Sequence, residues 1–258
     1  MINVLVTGAS GQLGRTIQEL GVNYPEIDFI FKNSKELDIT NNTYVNNVFE
    51  EGNFNYCINC AAYTNVEQAE KTPEIAFKVN ADGAKNIANA CKTYDVILIH
   101  ISTDYVFDGE KKDPYTIFDK PNPINEYGKS KLLGEKYIQE TLDNFLIIRT
   151  SWLYSKIHGS NFYKTILEKA NQRETINITD DQIGCPTNAE NLTKYILDLI
   201  LKKSENYGIH HYTDGIAMTW FDFAFQILKN GGFKPELLLV KDRNYRTFAL
   251  RPKNSILN

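Results

Sequence analysis

The stretch INVLVTGASGQLG, residues 2–14, decides the fold. Ile2–Thr7 is an apolar run of strand length that ends at glycines, and Leu13–Leu20 carries on as a helical pattern. Between them Gly8, Gly11 and Gly14 stand in GxxGxxG spacing. In a strand–turn–helix unit the first glycine permits the tight turn. The second lets the backbone approach a pyrophosphate, and the third lets helix and strand pack closely. The helix N-terminus then faces the anion. The expectation is a dinucleotide-binding unit, against the alternative of an ordinary glycine-rich turn.

Outward from this stretch the chain alternates strand and helix patterns. Strands are expected at Asp28–Phe31, Tyr56–Cys60, Val96–Ser102 and Phe145–Arg149. Between them Thr40 reads as the cap of a helix over Asn42–Glu51, Pro73 starts a long helix that runs to about Tyr94, and Asn125–Leu142 is helical. Strands that are apolar throughout suggest a parallel sheet covered on both faces. The fold class expected is α/β, a doubly wound parallel (Rossmann) sheet with a smaller C-terminal substrate-binding lobe. Past Thr150 the rhythm weakens to helices at Phe162–Asn171, Ala189–Lys202 and Trp220–Lys229, with strands near Ile209–Tyr212 and Leu237–Val240. Residues 1–150, continued by 172–205, therefore read as the dinucleotide-binding domain, and 151–171 with 206–258 as the covering lobe. The loop Asp108–Pro123, rich in Pro, Lys and Asp, is expected to be exposed and mobile.

Composition narrows the functional classes. The chain has 258 residues, 42% of them hydrophobic, enough for a sizeable core. Its net charge is −4 and it has no long basic run, which argues against nucleic acid as a main partner. The N-terminus lacks a basic n-region, and no apolar stretch is long enough to span a membrane. Cys57 and Cys60 form a CxxC, but in a strand that spacing turns the two side chains to opposite faces. With Cys91 and Cys185 they suggest no disulfide framework. His100, His158, His210 and His211 form no zinc-like cluster, so no metal is expected. A reducing, cytoplasmic location fits.

The end of the second strand bears on cofactor choice. An NAD-selective site often places Asp or Glu there to hold the ribose hydroxyls. This chain reads FIFKNSKE, with Lys32 and Lys35 in that region and Glu36 as the nearest acid. A cation at Lys32, or at Arg15, suits a 2′-phosphate, so NADPH is expected, with NADH also accommodated. The alternative is that both lysines are solvated surface.

A second constellation follows the fourth strand. Ser102 and Thr103 end that strand at its carboxyl edge, where open α/β sheets bind ligands. Tyr127 and Lys131, four residues apart, share one face of the next helix. A phenol with a pKa near 10 is a poor acid–base group at neutral pH, and a neighbouring ammonium favours its phenolate. Tyr127 and Lys131, with a hydroxyl of Ser102 or Thr103, are the expected catalytic set, and Lys131 is also placed to reach the nicotinamide ribose.

Together, GQLG, LDIT (Leu37–Thr40), NCAAYTNVEQAE (Asn59–Glu70), STDYVFDG (Ser102–Gly109), YGKSKLLGE (Tyr127–Glu135), RTSWLY (Arg149–Tyr154), DQIGCPT (Asp181–Thr187) and LRPKNSIL (Leu250–Leu257) resemble the dTDP-4-dehydrorhamnose reductase family, within the extended short-chain dehydrogenases. The motifs occur in the family's order along nearly the whole chain. The resemblance implies hydride transfer to the C4 ketone of a dTDP-linked 4-keto sugar, with Tyr127 giving the proton. It implies cofactor contacts at Gln12, Leu13, Asp38, Ile39, Ala62, Tyr63 and Thr64, and substrate contacts at Thr103, Asp104, Tyr105 and Trp152. From the residues alone, Trp152 reads equally as core, and Asp38 with Thr40 as a turn and a cap. Arg251 suits a bidentate hold on a nucleotide-sugar diphosphate, or equally a surface arginine that fixes a loop.

Family members usually continue past the RPxNS segment, whereas this chain stops at Asn258. Some relatives use acidic residues for a magnesium-bridged dimer. Glu190 matches one of them, but Arg15 stands where an acid is expected, so a homodimer stays open and no metal is implied. The rivals are a 4-epimerase or dehydratase of the same fold, and a non-catalytic regulatory subunit that holds a dinucleotide. Against a dehydratase, Thr103 is followed by Asp104-Tyr105 where that reaction needs Asp-Glu.

Overall fold

The computed structural model describes residues 1–242 and 244–258. In chain order the first half runs β1 (Ile2–Thr7), α1 (Gln12–Gly21), β2 (Ile27–Lys32), α2 (Asn42–Gly52), β3 (Tyr56–Asn59), α3 (Val66–Lys71), α4 (Pro73–Phe77), α5 (Gly83–Thr93), β4 (Ile97–Thr103), α6 (Glu126–Thr141) and β5 (Phe145–Thr150). There follow β6 (Leu153–Tyr154), α7 (Phe162–Asn171), β7 (Ile176–Ile178), β8 (Ile183–Gly184), β9 (Thr187–Asn188), α8 (Ala189–Leu201), β10 (Gly208–His211), β11 (Met218–Thr219), α9 (Trp220–Asn230), α10 (Pro235–Leu238) and β12 (Leu239–Lys241).

Six strands form one sheet in the order β10-β5-β4-β3-β1-β2, every pair parallel. The chain turns to opposite sides of β1 to reach β2 and β3, so the strand order switches beside β1. Ligands bind at the carboxyl ends of strands at such a switch. Alternate residues of each strand face opposite layers. Leu5, Leu98 and Ile147 enter one core with Val45, Phe49, Ile87 and Ile138. Val4, Val6, Ile58, Ile99 and Ile148 enter the other, with Ile17, Leu192, Ile196 and Ile200. The sheet is thus covered on both faces, which is why its strands read as continuous apolar runs. A separate cluster of Ile166, Ile176, Phe223, Ile227, Leu228 and Leu239 joins α7, β7, α9 and β12.

Several local expectations need correction. The cap of α2 is Asn41, not Thr40: its side chain accepts from the backbone N–H groups of Thr43 and Tyr44, while Thr40 donates to Asp38. The helix from Pro73 to Thr93 carries a π-helical turn at Lys78–Asp82. Pro235 starts a helical turn, so the strand expected at Leu237–Val240 is displaced to Leu239–Lys241. Gly208–His211, assigned from sequence to the covering lobe, extends the main sheet beside β5. The loop Asp108–Pro123 is largely exposed, as expected, and is anchored at Tyr115. Tyr115 is buried, stacks on Phe107 with centroids 4.2 Å apart, and its hydroxyl donates to Asp108 at 2.7 Å. Lys111 pairs with Asp119 in the same loop.

Candidate active site

The glycine turn is a close fit to backbone. Gly8 has a φ of +63°, and a Cβ there would lie 2.6 Å from the Ala61 nitrogen. A Cβ on Gly14 would lie 2.6 Å from the Gly8 oxygen. Gly11 is the N-cap of α1 and supplies no side-chain cap, whereas α2, α6, α7, α8 and α9 are all capped by Asn or Thr side chains. The first N–H groups of α1 are therefore left for an outside acceptor, and the cradle fits a dinucleotide pyrophosphate. The site's other expected cofactor residues behave in two ways. Leu13 and Ile39 are core side chains, and Ile39 lies in the layer below α5. Asp38 closes its own turn on the Thr40 N–H and hydroxyl. Ala62, Tyr63 and Thr64 form the loop after β3, and Asn80 grips Tyr63 by both its N–H and its carbonyl. At the end of β2, Glu36 folds back on the Asn33 N–H at 2.9 Å, and Lys32 lies half-buried beside it. Gln12 spends its side chain on the lobe: its amide donates to the Leu153 carbonyl and accepts from Asn161.

Strand β4 delivers Thr103 and Asp104 to the same edge. The Thr103 hydroxyl donates to Asp104 at 3.0 Å and accepts from the Tyr105 N–H. Asn125 caps α6 through the Gly128 N–H and ties it to the Leu250 carbonyl, so the helix that carries Tyr127 is fixed at its start. The Tyr105 ring packs edge-on against Tyr127, with centroids 5.8 Å apart. Burial pushes the Tyr127 phenol up to about 12, with Asp104 adding to the rise and a hydrogen bond with Thr103 opposing it. Burial raises Asp104 to about 6, against hydrogen bonds from Ser255 and Thr103. The neighbour that lowers the Tyr127 pKa here is thus Thr103, whereas the sequence pointed to Lys131. The Lys131 amine is instead turned into the protein, 2.7 Å from the Ile101 carbonyl and 3.2 Å from His100 Nε2.

The remaining expected residues are Trp152 and Arg251. Trp152 takes a left-handed φ of +47° and stacks on Trp220 at 3.5 Å, with its indole against Gly184. Arg251 is paired with Glu67 at 2.9 Å, and Glu67 also accepts from the Phe248 and Ala249 N–H groups. Arg251 thus fixes the loop before it in this structure, and its Nε is buried without a partner.

Three groups beneath the site were not singled out from sequence. Asn80, on the π turn, donates to Ser130 of α6 as well as to Tyr63. Glu135 and Arg149 form a buried pair under Ser102. His100 and Asn59 connect Lys131 to Thr7 at the end of β1. The available signal was polarity in apolar strands: His100 interrupts VILIHIS and Asn59 ends YCIN.

Comparison with known proteins is consistent along the whole chain. The family model described as RmlD substrate binding domain matches residues 2–258. A dTDP-4-dehydrorhamnose reductase of Aggregatibacter actinomycetemcomitans is 35% identical, over 100% of this chain and 91% of its own length. Its counterpart of the same name from Salmonella typhimurium is 37% identical, over 100% and 89%. A dTDP-4-dehydrorhamnose reductase of Bacillus anthracis, solved in complex with NADP, superposes with a TM-score of 0.95 at 41% identity, covering 100% of this chain and 91% of that one.

Proposed function

This chain belongs to the RmlD substrate binding domain family, and from that premise we propose that it reduces the C4 ketone of dTDP-4-dehydro-L-rhamnose to give dTDP-L-rhamnose. It is an NADP-dependent oxidoreductase. The observation that carries the reading is the meeting of Thr103, Asp104 and Tyr127 at the carboxyl edge of a sheet whose first helix has an uncapped N-terminus.

When bound, NADPH supplies the hydride. Gly8, Gly11 and Gly14 leave room for its pyrophosphate against the first N–H groups of α1, and the backbone at Gln12, Leu13, Asp38, Ile39, Ala62, Tyr63 and Thr64 borders it. Lys32 supplies positive charge for the 2′-phosphate. Tyr127, protonated at neutral pH, holds the proton that the developing C4 alkoxide needs, and Thr103 orients the phenol. Lys131 steadies the phenolate left behind and reaches the ribose. Asp104, Tyr105 and Trp152 border the sugar, and Arg251 meets the diphosphate once it releases Glu67. We assign residues 1–150, 189–205 and β10 to the dinucleotide-binding domain and the rest to the substrate lobe; residues 172–188, read from sequence with the former, pair and pack with the lobe. Among the described residues no helix is long and apolar enough to cross a membrane. Buried free thiols at Cys57, Cys91 and Cys185 support a cytoplasmic location.

The test is NADPH oxidation with enzymatically generated dTDP-4-dehydrorhamnose, compared with UDP- and GDP-linked 4-keto sugars. The expected result is turnover with the dTDP-linked sugar well above the other two. Equal turnover, or none with any keto sugar, defeats the proposal.

A further inference from the structure

We propose that Trp220, held by Gln182, is a positioning residue: with Gly184 it grips the indole of Trp152 and so fixes the aromatic wall of the sugar pocket. The inference rests on the reading of Trp152 as a border of the sugar. The register of the sheet gives Trp152 its place. Thr150, the last residue of β5, is the partner of Thr103 in β4, and Trp152 follows two residues later. The Ser151 hydroxyl between them donates to the Cys185 carbonyl at 2.6 Å. Trp152 thus leaves the carboxyl edge of the sheet beside the strand that carries Thr103.

Its backbone is strained there. A φ of +47° is a conformation that a bulky side chain adopts only where the surroundings over-determine it. Two surfaces do so. Trp220 stacks on one face of the indole, with centroids 3.5 Å and planes 9° apart. A Cβ on Gly184 would lie 2.6, 2.8 and 2.9 Å from Cε2, Nε1 and Cζ2 of Trp152. An atom beyond the rim would be nearer to Nε1 and Cζ2 than to the ring-fusion carbon Cε2, so Gly184 lies over a face. Trp220 fills one face, and Gly184 therefore covers the other. Any side chain at position 184 would press the indole out of place.

Both jaws come from one small piece of sheet. β8 and β11 pair antiparallel, with Met218 against Gly184 and Thr219 against Ile183, and Trp220 follows directly as the first residue of α9. Trp220 is itself fixed. Its Nε1–H donates to Gln182 Oε1 at 3.1 Å, and the Phe162 ring packs on it with centroids 4.5 Å apart. The Trp152 residue stays partly exposed, so the grip leaves it surface for a ligand. A rigid apolar wall suits the C–H face and the methyl group of a 6-deoxy sugar. An indole ordered beforehand spares the entropy of ordering it when the sugar binds.

Trp152 and Trp220 are the two tryptophans of the chain, so each can be followed alone. Trp220→Leu and Trp220→Phe are compared with the wild type by ¹⁵N relaxation of the indole N–H groups, the signal that survives in both variants being Trp152. That group should be rigid in the wild type and in Trp220→Phe, and mobile in Trp220→Leu. In Trp220→Leu the KM for the dTDP-linked keto sugar should rise about tenfold or more with kcat within about threefold, because the wall serves ground state and transition state alike. The Kd for NADPH should stay unchanged, and Trp220→Phe should restore most of the KM.

A Trp152 N–H as rigid in Trp220→Leu as in the wild type, or an unchanged KM, overturns the proposal. An equal loss of NADPH affinity overturns it too, since it would report a loosened chain rather than a displaced wall. If Trp220→Leu does not fold, Gln182→Met, which removes the acceptor for the Trp220 N–H, decides by the same readouts. A wild type that reduces no keto sugar defeats the functional reading alone, because the relaxation measurement needs no substrate and still decides the grip.

Discussion

The Glu135 carboxylate and the Arg149 guanidinium meet in a two-pronged pair, Nη2 to Oε2 at 2.6 Å and Nε to Oε1 at 3.0 Å, with neither side chain reaching solvent. Ser102, next to Thr103, donates to the same carboxylate, and the guanidinium lies over the Phe107 ring. The pair therefore joins α6, which carries Tyr127 and Lys131, to β4 and β5 beneath the site.

Breaking that pair from one side leaves a buried charge. Arg149→Met should cost about 3–5 kcal/mol of stability, while the double change Glu135→Leu with Arg149→Met should recover much of the loss. Urea unfolding of the two variants beside the wild type measures this. A single variant as stable as the wild type would show that the pair carries no weight.

The glycine turn gives a sharper steric test. Gly8→Ala places a methyl group 2.6 Å from the Ala61 nitrogen at a backbone angle that only glycine adopts freely. Strain of the order of 1–3 kcal/mol should appear as a lowered Tm, and NADPH affinity should fall with it. Fluorescence titration with NADPH checks the second part. Unchanged affinity would mean the turn does not border the pyrophosphate.

Asp104 should make stability depend on pH. Its folded-state pKa is raised by burial from 3.8 to about 6, so the folded chain holds the proton more tightly than the unfolded one. The resulting stabilisation is complete below the unfolded value and is lost as pH rises through the folded value. Asp104→Asn fixes the neutral form. Its stability relative to the wild type should therefore grow between about pH 4 and pH 8, by up to about 3 kcal/mol. Thermal unfolding across that range measures the slope, and a flat difference would contradict it.

The sheet was legible because its strands are apolar on both faces, and every strand from β1 to β5 lies within a residue or two of where Ile2–Arg149 placed it. The sixth strand was harder to read. Gly208–His211 has half-buried, mixed residues at the edge of the sheet, so its pattern gives no sign of which sheet it joins. The tie-down of Asp108–Pro123 rests on Tyr115 and on a bridge to Leu257 far along the chain, contacts that local composition does not encode. In the site, Tyr127 and Lys131 were marked by their helical spacing. Their environment was not, because the direction of the Lys131 amine depends on His100, thirty-one residues away on another element. Arg251 was recognisable as a cation near the lobe, but its partner Glu67 lies on α3 and only the fold brings them together.

The most direct measurement of the central claim is the turnover of Tyr127→Phe with saturating NADPH and the dTDP-linked keto sugar, taken together with its NADPH dissociation constant. The account predicts that kcat falls by roughly 10²–10⁴ for loss of a general acid, while NADPH binding and the Tm stay close to wild type. A near-normal kcat in this variant would mean that the proton reaches the alkoxide from another group.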